Sequence, residues 1–269
     1  MSGFSCSIML PELTQIAHPL APMGGHGLNT GICDVWDISW KLAATLAGWG
    51  GPQILESYDA ERRPVAQANT GMVHAAVMVG MPLFTAAQRI GADVLLADDE
   101  AGRKARDEVG RETDKGHWLH NQVGKILGYR YTSPLVIQDE GAGEAPKLEL
   151  EGEVTKYLPT TWPGGRPPHI FLADGKTSIF DKFGKGFSLV DFTPGCELGK
   201  AFSTASGGLG IPLEVVHLPE ERHARGLWER DVVLVRPDGH VAWRSCSSGG
   251  QAPEPEAIAA ILKQVSGNP

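Results

Sequence analysis

Apolar positions recur at helical spacing through one early stretch of the chain. Val35, Ile38, Leu42, Leu46 and Trp49 stand mostly three or four residues apart, with Asp34, Asp37 and Lys41 among them, which predicts an amphipathic helix running from about Gly31. Asp37 and Lys41, four apart, suit a weak ion pair. Asp34 and Asp37 then fall in the first two turns, where the helix dipole favours negative charge. Gly48, Gly50 and Gly51 end the pattern. Ahead of it, Gly24, Gly25, Gly27 and Gly31 leave a backbone with few side chains to keep another molecule away. This glycine corner empties into a helix N-terminus, and amides from about Asn29 to Cys33 suit a carbonyl, a pyrophosphate or a carboxylate.

Beyond the corner, Pro64 predicts a break near Arg63 and a new helix over 64–80. Glu61, Arg62 and Arg63 at that junction suit ties to backbone carbonyls and carboxylates rather than to a ligand. Residues 83–127 read as helical, with charges of alternating sign as on a solvated face. The aromatic and β-branched content of Gly128 to Val136 predicts a short strand, followed by a polar linker. From Tyr157 strands alternate with helices: strands over 169–172, 187–192, 213–218 and 231–235, the last paired across Pro237-Asp238-Gly239 with 240–244. Helices are expected over 197–205 and 253–265. The organisation is α/β: a mostly helical region over 1–137, a linker over 138–156, and a thioredoxin-like α/β domain over 157–269.

The chain of 269 residues, 42% hydrophobic, is long enough for two modest domains. A net charge of −8 without a lysine and arginine run argues against nucleic acid and anionic membrane as partners. The reading finds neither a basic leader with a long apolar core nor a membrane-spanning window, so a cytoplasmic protein is expected. Cys6, Cys33, Cys196 and Cys246 are scattered, with no C-x-x-C pair and no metal-ligand spacing. No metal is expected, and Cys196, alone in PGCELG where a thioredoxin-like fold carries its dithiol, is expected to be structural.

Three stretches, in this order, carry a resemblance. They are H-x-x-x-P-x-G-G-x-G-L-N-T-G-I-x-D from His18 to Asp34, running on to Trp40-Lys41-Leu42-Ala43; Y-x-x-E-R-R-P from Tyr58 to Pro64; and V-L-V-R-P-D-G-H-V-A-W-R from Val233 to Arg244. Together they resemble the C-terminal half of the FAD-dependent aromatic-ring monooxygenases, the phenol hydroxylase and p-hydroxybenzoate hydroxylase-like group, and within it those with a thioredoxin-like C-terminal domain. The resemblance implies an N-terminal helical part of a flavin monooxygenase, an oxidoreductase of secondary metabolism acting on a phenolic or polyketide-like aromatic compound. It implies that Pro22, Gly24, Gly25, Gly27, Leu28, Asn29 and Thr30 lie against the isoalloxazine ring of FAD, and that NAD(P)H supplies electrons. Two departures stand out. Family members begin with the G-x-G-x-x-G unit that holds the ADP half of FAD, for which the residues ahead of Ala17 leave no room. The family also has Gly-Asp shortly before its histidine, where this chain has Thr14 and Gln15. Affinity for FAD is therefore expected to be weak or lost.

Three functional readings follow. In the first, a separate N-terminal FAD-domain chain completes the flavin site and makes NAD(P)H relevant. In the second, the chain works without flavin, with His26, Asp34 and His18 as acid-base groups in a cyclase, isomerase, dehydratase or hydrolase. In the third, the chain is a non-enzymatic association module whose apolar helix faces are buried in a homo-oligomer, a dimer in the simplest case.

Overall fold

A computed structural model describes residues 25–116, 121–139, 143, 145, 155–246 and 253–268. It divides into two compact units: Met1–Asp34, Arg63–Lys125 and Glu149–Lys156 form one, and Val35–Arg62, Ile126–Leu148 and Tyr157–Pro269 the other. Both divisions near the start fall inside helices, since α1 spans His26–Leu46 and α2 spans Gln53–Ile90.

The second unit holds the sheet. Strands β1 (Phe187–Asp191), β2 (Leu213–His217), β3 (Val232–Val235) and β4 (Val241–Arg244) lie in the order β2-β1-β3-β4. The β1–β2 pair is parallel, while β1–β3 and β3–β4 are antiparallel. The parallel pair requires a crossover, supplied by helix Glu197–Leu209, and the antiparallel pair turns through Pro237-Asp238-Gly239. This is the thioredoxin-like arrangement the strand pattern predicts. Every residue of β1 and β3 is buried, because apolar side chains pack on both sheet faces. Val190, Val216, Trp228, Val233 and Val235 build one cluster, and Phe187, Leu189, Phe202, Leu234, Ile258 and Leu262 the other. The runs of valine and leucine are therefore continuous rather than alternating.

Part of α1 belongs to the same unit. Trp40 and Ala44 pack with Ile54 and Leu135, and Trp40 stacks on Trp49 at 6.3 Å, with both indoles edge-on to Phe187. In the first unit, α2 continues to Ile90 and is followed by α3 (Ala92–Leu96) and α4 (Glu100–Lys115); α5 (Val123–Gly128) is divided between the units after Lys125. The later elements of the second unit are α6 (Glu197–Leu209), α7 (Arg222–Trp228) and α8 (Pro255–Val265), with a 3-10 turn at Ile179–Lys182. Neither α7 nor the 3-10 turn is foreseen by the sequence pattern.

The structure corrects several expectations. Helix α1 starts at His26, five residues before the predicted start, so Leu28, Asn29, Thr30 and Gly31 are helical. Helix α2 does not break at Arg63, because Glu61, Arg62, Val65 and Ala66 are all buried around Pro64 and that burial holds the helix through the missing amide. Residues 128–136 form no strand. Tyr131 and Ile137 donate single backbone bonds to Gly164 (2.9 Å) and Ala242 (2.9 Å), and a turn closes from Ser133 to Val136 around Pro134. The predicted strand at 169–172 is reduced to one bridge between Phe171 and Ser178. Helix α2 also contains an 18-residue window of mean hydropathy 1.4, 17% buried. The sequence reading finds no such window, and length and composition alone would let this helix cross a membrane.

Gly164 sets the position of Tyr131, accepting its amide and donating its own to Val241 at 2.8 Å. Its φ is +84° and a Cβ there would collide with the Tyr131 carbonyl oxygen. Gly164→Ala is expected to destabilise the fold by about 2–3 kcal/mol through strain and overpacking, measured as a drop in the urea midpoint.

Candidate functional site

The corner is built on the first turn of α1. Gly25 has φ +71°, with nothing within 4 Å of the position a Cβ would take. Because the helix starts at His26, the amides without intrahelical partners belong to its first turn rather than to Asn29–Cys33. Leu28 and Asn29 are exposed, and the Asn29 amide donates back to the Gly25 carbonyl at 2.8 Å. Thr30 turns the other way: it is buried and its hydroxyl accepts from Asn69 at 2.9 Å. His26 is half-buried, and burial holds its imidazole below the usual range against an opposing hydrogen bond with Gln122; Lys125 also lowers it. Burial brings Lys125 itself down to about 8, and its ammonium donates to the Ala68 carbonyl at 2.7 Å.

Of the residues proposed for acid-base work, His26 and Asp34 lie eight positions apart on one helix, about 12 Å along its axis. The helix does not bring them together as a pair. His18, Pro22 and Gly24 lie outside the described residues. Asp34 and Asp37 fall in the third and fourth turns, beyond the reach of the dipole, and the first turn carries no acid.

What Asp37 and Lys41 do instead is the largest departure from the sequence reading. They are fully buried, and with Glu61, Arg236 and Asp238 they form one ionic cluster. Lys41 Nζ lies 2.8 Å from Asp37 Oδ2 and 2.7 Å from Glu61 Oε2. The Arg236 guanidinium donates to both oxygens of Glu61, at 2.5 and 2.8 Å, to Asp37 at 3.3 Å and to Asp238 at 2.5 Å. Ser133 donates to Glu61 at 2.5 Å, and the Trp40 indole donates to Asp238 at 3.3 Å. Arg236 lies over the rings of Trp40 and Tyr131, and Arg62 donates to the Tyr131 hydroxyl at 3.0 Å. Arg62 is thus structural, as the junction suggested. Three segments far apart in sequence, α1, α2 and the β3–β4 turn, meet here.

Three carboxylates face two cations in this set, so one negative charge is in excess. Burial pushes Asp37 up to about 7, against the pull of Lys41 and with Asp238 adding to the rise. Burial would also raise Glu61, but Arg236, by charge and hydrogen bond, and Lys41 bring it down to about 2. Asp238 behaves likewise, held well below the usual carboxylate range by Arg236 and His240. Oxygens of Asp37, Glu61 and Asp238 lie within 4.8 Å of one another, a spacing a metal ion accepts. The guanidinium and the ammonium already bond to them, so the cluster reads as an internal ion network.

The glycine-led helix and the R-P-D-G-H hairpin on a thioredoxin-like sheet lie where the resemblance to the aromatic flavin hydroxylases expects them. Comparison with known proteins agrees. Residues 16–72 match the family model of the FAD binding domain, and residues 160–269 match that of the aromatic-ring hydroxylase C-terminal region. Over these regions the chain is similar to the FAD-dependent aromatic-ring monooxygenases. Among relatives, it is 38% identical to the FAD-dependent monooxygenase apdD of Emericella nidulans, over 93% of this chain and 39% of that protein. It is 31% identical to the 4-methyl-5-nitrocatechol 5-monooxygenase of a Burkholderia species, over 91% of this chain and 42% of the relative. Among solved structures, the rebeccamycin biosynthetic enzyme RebC with reduced flavin superposes with a TM-score of 0.72 at 34% identity, covering 93% of this chain and 43% of that one. The chain spans less than half the length of each of these relatives.

Removing the arginine leaves Glu61 and Asp238 buried without their main partner. Arg236→Leu is expected to cost about 3–5 kcal/mol in denaturant unfolding, and the Glu61→Gln, Arg236→Met double variant less than the two single losses together. The pH dependence follows from Asp37. Its folded pKa of about 7 lies above the ordinary 3.8, so its contribution is full below pH 3.8 and is lost as pH rises through about 7. Urea midpoints are expected to fall between pH 5 and pH 8 in the native chain, and that slope is expected to flatten in Asp37→Asn.

Proposed function

We propose that this chain supplies the C-terminal half of a flavin-dependent monooxygenase acting on a phenolic or polyketide-like aromatic compound in the cytoplasm, with a second polypeptide completing the flavin site. The observation that carries this reading is the coincidence of the FAD-binding match, residues 16–72, with a helix whose first turn is open at Gly25. Bound FAD supplies the electron-carrying and oxygen-activating chemistry, with NAD(P)H as the electron source.

The residues present fit the ring end of the cofactor and not its nucleotide end. The first-turn amides of α1, in residues that are exposed at Gly25, Leu28 and Asn29 and half-buried at Gly27, would serve as a donor set for the anionic carbonyl edge of a reduced ring. Thr30, bonded to Asn69, supports the turn rather than facing a ligand. Burial lowers the pKa of the His26 imidazole beside this turn, against its hydrogen bond with Gln122. The ionic cluster holds the later turns of α1 through Asp37 and Lys41, which limits the freedom of the same helix. Of the groups the flavin-free reading names, His26 and Asp34 stand two turns apart on α1 and His18 lies outside the described residues.

Mixed with the polypeptide that precedes the matched region in the Emericella nidulans relative, the chain is expected to acquire flavin absorbance and NAD(P)H-dependent hydroxylation of phenolic test compounds. Gly25→Val, which forces a side chain into a left-handed backbone, is expected to lower flavin occupancy about tenfold and, through the same strain, to lower the melting temperature. Absence of flavin absorbance under every combination of chain, FAD and partner would refute the proposal.

A further inference from the structure

Helix α1 carries its apolar side outward. Leu28, Ile32, Val35, Leu42 and Leu46 are all exposed, from 41% at Leu42 to 88% at Leu46, and Trp36 beside them is 62% exposed. With Ser39 they fall at alternating intervals of four and three residues, the spacing by which one helix lies along another element. The flanking positions Asn29, Gly31, Ile38, Ala43 and Thr45 carry no charge. The opposite side of the helix, with Thr30, Asp34, Asp37, Trp40, Lys41 and Ala44, is buried. The helix is thus held by its charged residues together with Trp40 and Ala44, and offers an apolar seam broken only at Ser39.

The seam falls wholly within residues 16–72, matched to an FAD binding domain. A domain buries its apolar faces against its own other layers, so part of a domain leaves such a face uncovered. In the relatives more than half of the protein lies outside the matched region, and the second family model names the matched part as C-terminal. The rest of the FAD domain therefore precedes it in them. We infer that the seam of α1, from Leu28 to Leu46, is the docking surface for the polypeptide that carries the remainder of the FAD-binding domain. The inference rests on the reading of this chain as half of a flavin monooxygenase.

Cys33, exposed on α1 next to the seam, gives a local probe. In a Cys6→Ser, Cys246→Ser background the lone chain is expected to be a monomer by light scattering, to bind a hydrophobic dye and to label quickly at Cys33. Addition of the N-terminal polypeptide of the Emericella nidulans monooxygenase is expected to give a one-to-one complex, displace the dye and slow Cys33 labelling at least tenfold. Val35→Lys with Leu42→Lys is expected to weaken that complex at least tenfold without changing the melting temperature. No complex, or one indifferent to the two lysines, overturns the inference. So does a homodimer that the lysines dissolve, which assigns the seam to a second copy. A lone chain that neither binds dye nor labels overturns it too, since its own residues then cover the seam. A complex without flavin absorbance leaves the docking surface standing and removes the hydroxylase reading; flavin binding with the seam still open does the reverse.

Discussion

The guanidinium of Arg236 is the group on which the second unit depends. It sits fully buried between Trp40 and Tyr131 and bonds to Glu61, Asp37 and Asp238, residues from two helices and its own turn. A lone arginine in that position would be untenable, and so would any of the carboxylates. Arginine suits the place because its planar fork serves several acceptors at once while its faces stack on rings. The arrangement stabilises less than its bond count suggests, since each charge has left water. Its consequence is selectivity: only one mutual placement of α1, the start of α2 and the β3–β4 turn satisfies every partner.

Much of the sheet domain could be read from the chain alone. Valine-rich runs of four or five residues separated by a Pro-Asp-Gly turn or a helix-length segment give the four strands of the sheet and the hairpin. The errors have a common origin in contacts that are distant in sequence. The predicted strand at 128–136 has the composition of one, but its amides are taken singly, Tyr131 by Gly164 and Val136 by Ser133 of its own turn. Pro64 looks like a helix stop until the burial of its neighbours is known. The ionic cluster was the least legible feature. Asp37 and Lys41 announce a pair, whereas Arg236 lies 175 positions from Glu61 and 199 from Asp37. One sign was available, an arginine immediately before a Pro-Asp-Gly turn and a glutamate followed by two arginines early in α2, and it does not reveal that the two meet.

Periodicity also located an apolar face on α1 without stating what faces it. In most surface helices the apolar side turns to the core and the charged side to water. Here the charged side is the buried one, because its charges find partners, and the apolar side is exposed. The reversal accounts for the mixed record of the corner itself. The glycines and the helix were legible, but the helix begins earlier than its apolar pattern, so the first-turn amides sit at His26 and the aspartates lie far from the dipole.

The thioredoxin-like scaffold has a different use in this chain from thiol chemistry. Cys196 stands at the start of α6 in a left-handed conformation, buried, and burial together with Asp191 pushes its thiol above the ordinary range. A raised thiol is mostly protonated and a poor nucleophile. Asp191 meanwhile accepts the amides of Gly199 and Thr193, fastening the turn between β1 and α6. What the scaffold contributes is a rigid hairpin at the far end of β3, and the hairpin contributes Arg236. A fold whose β3–β4 turn carries the cation that three carboxylates share acts as a brace for the later turns of α1.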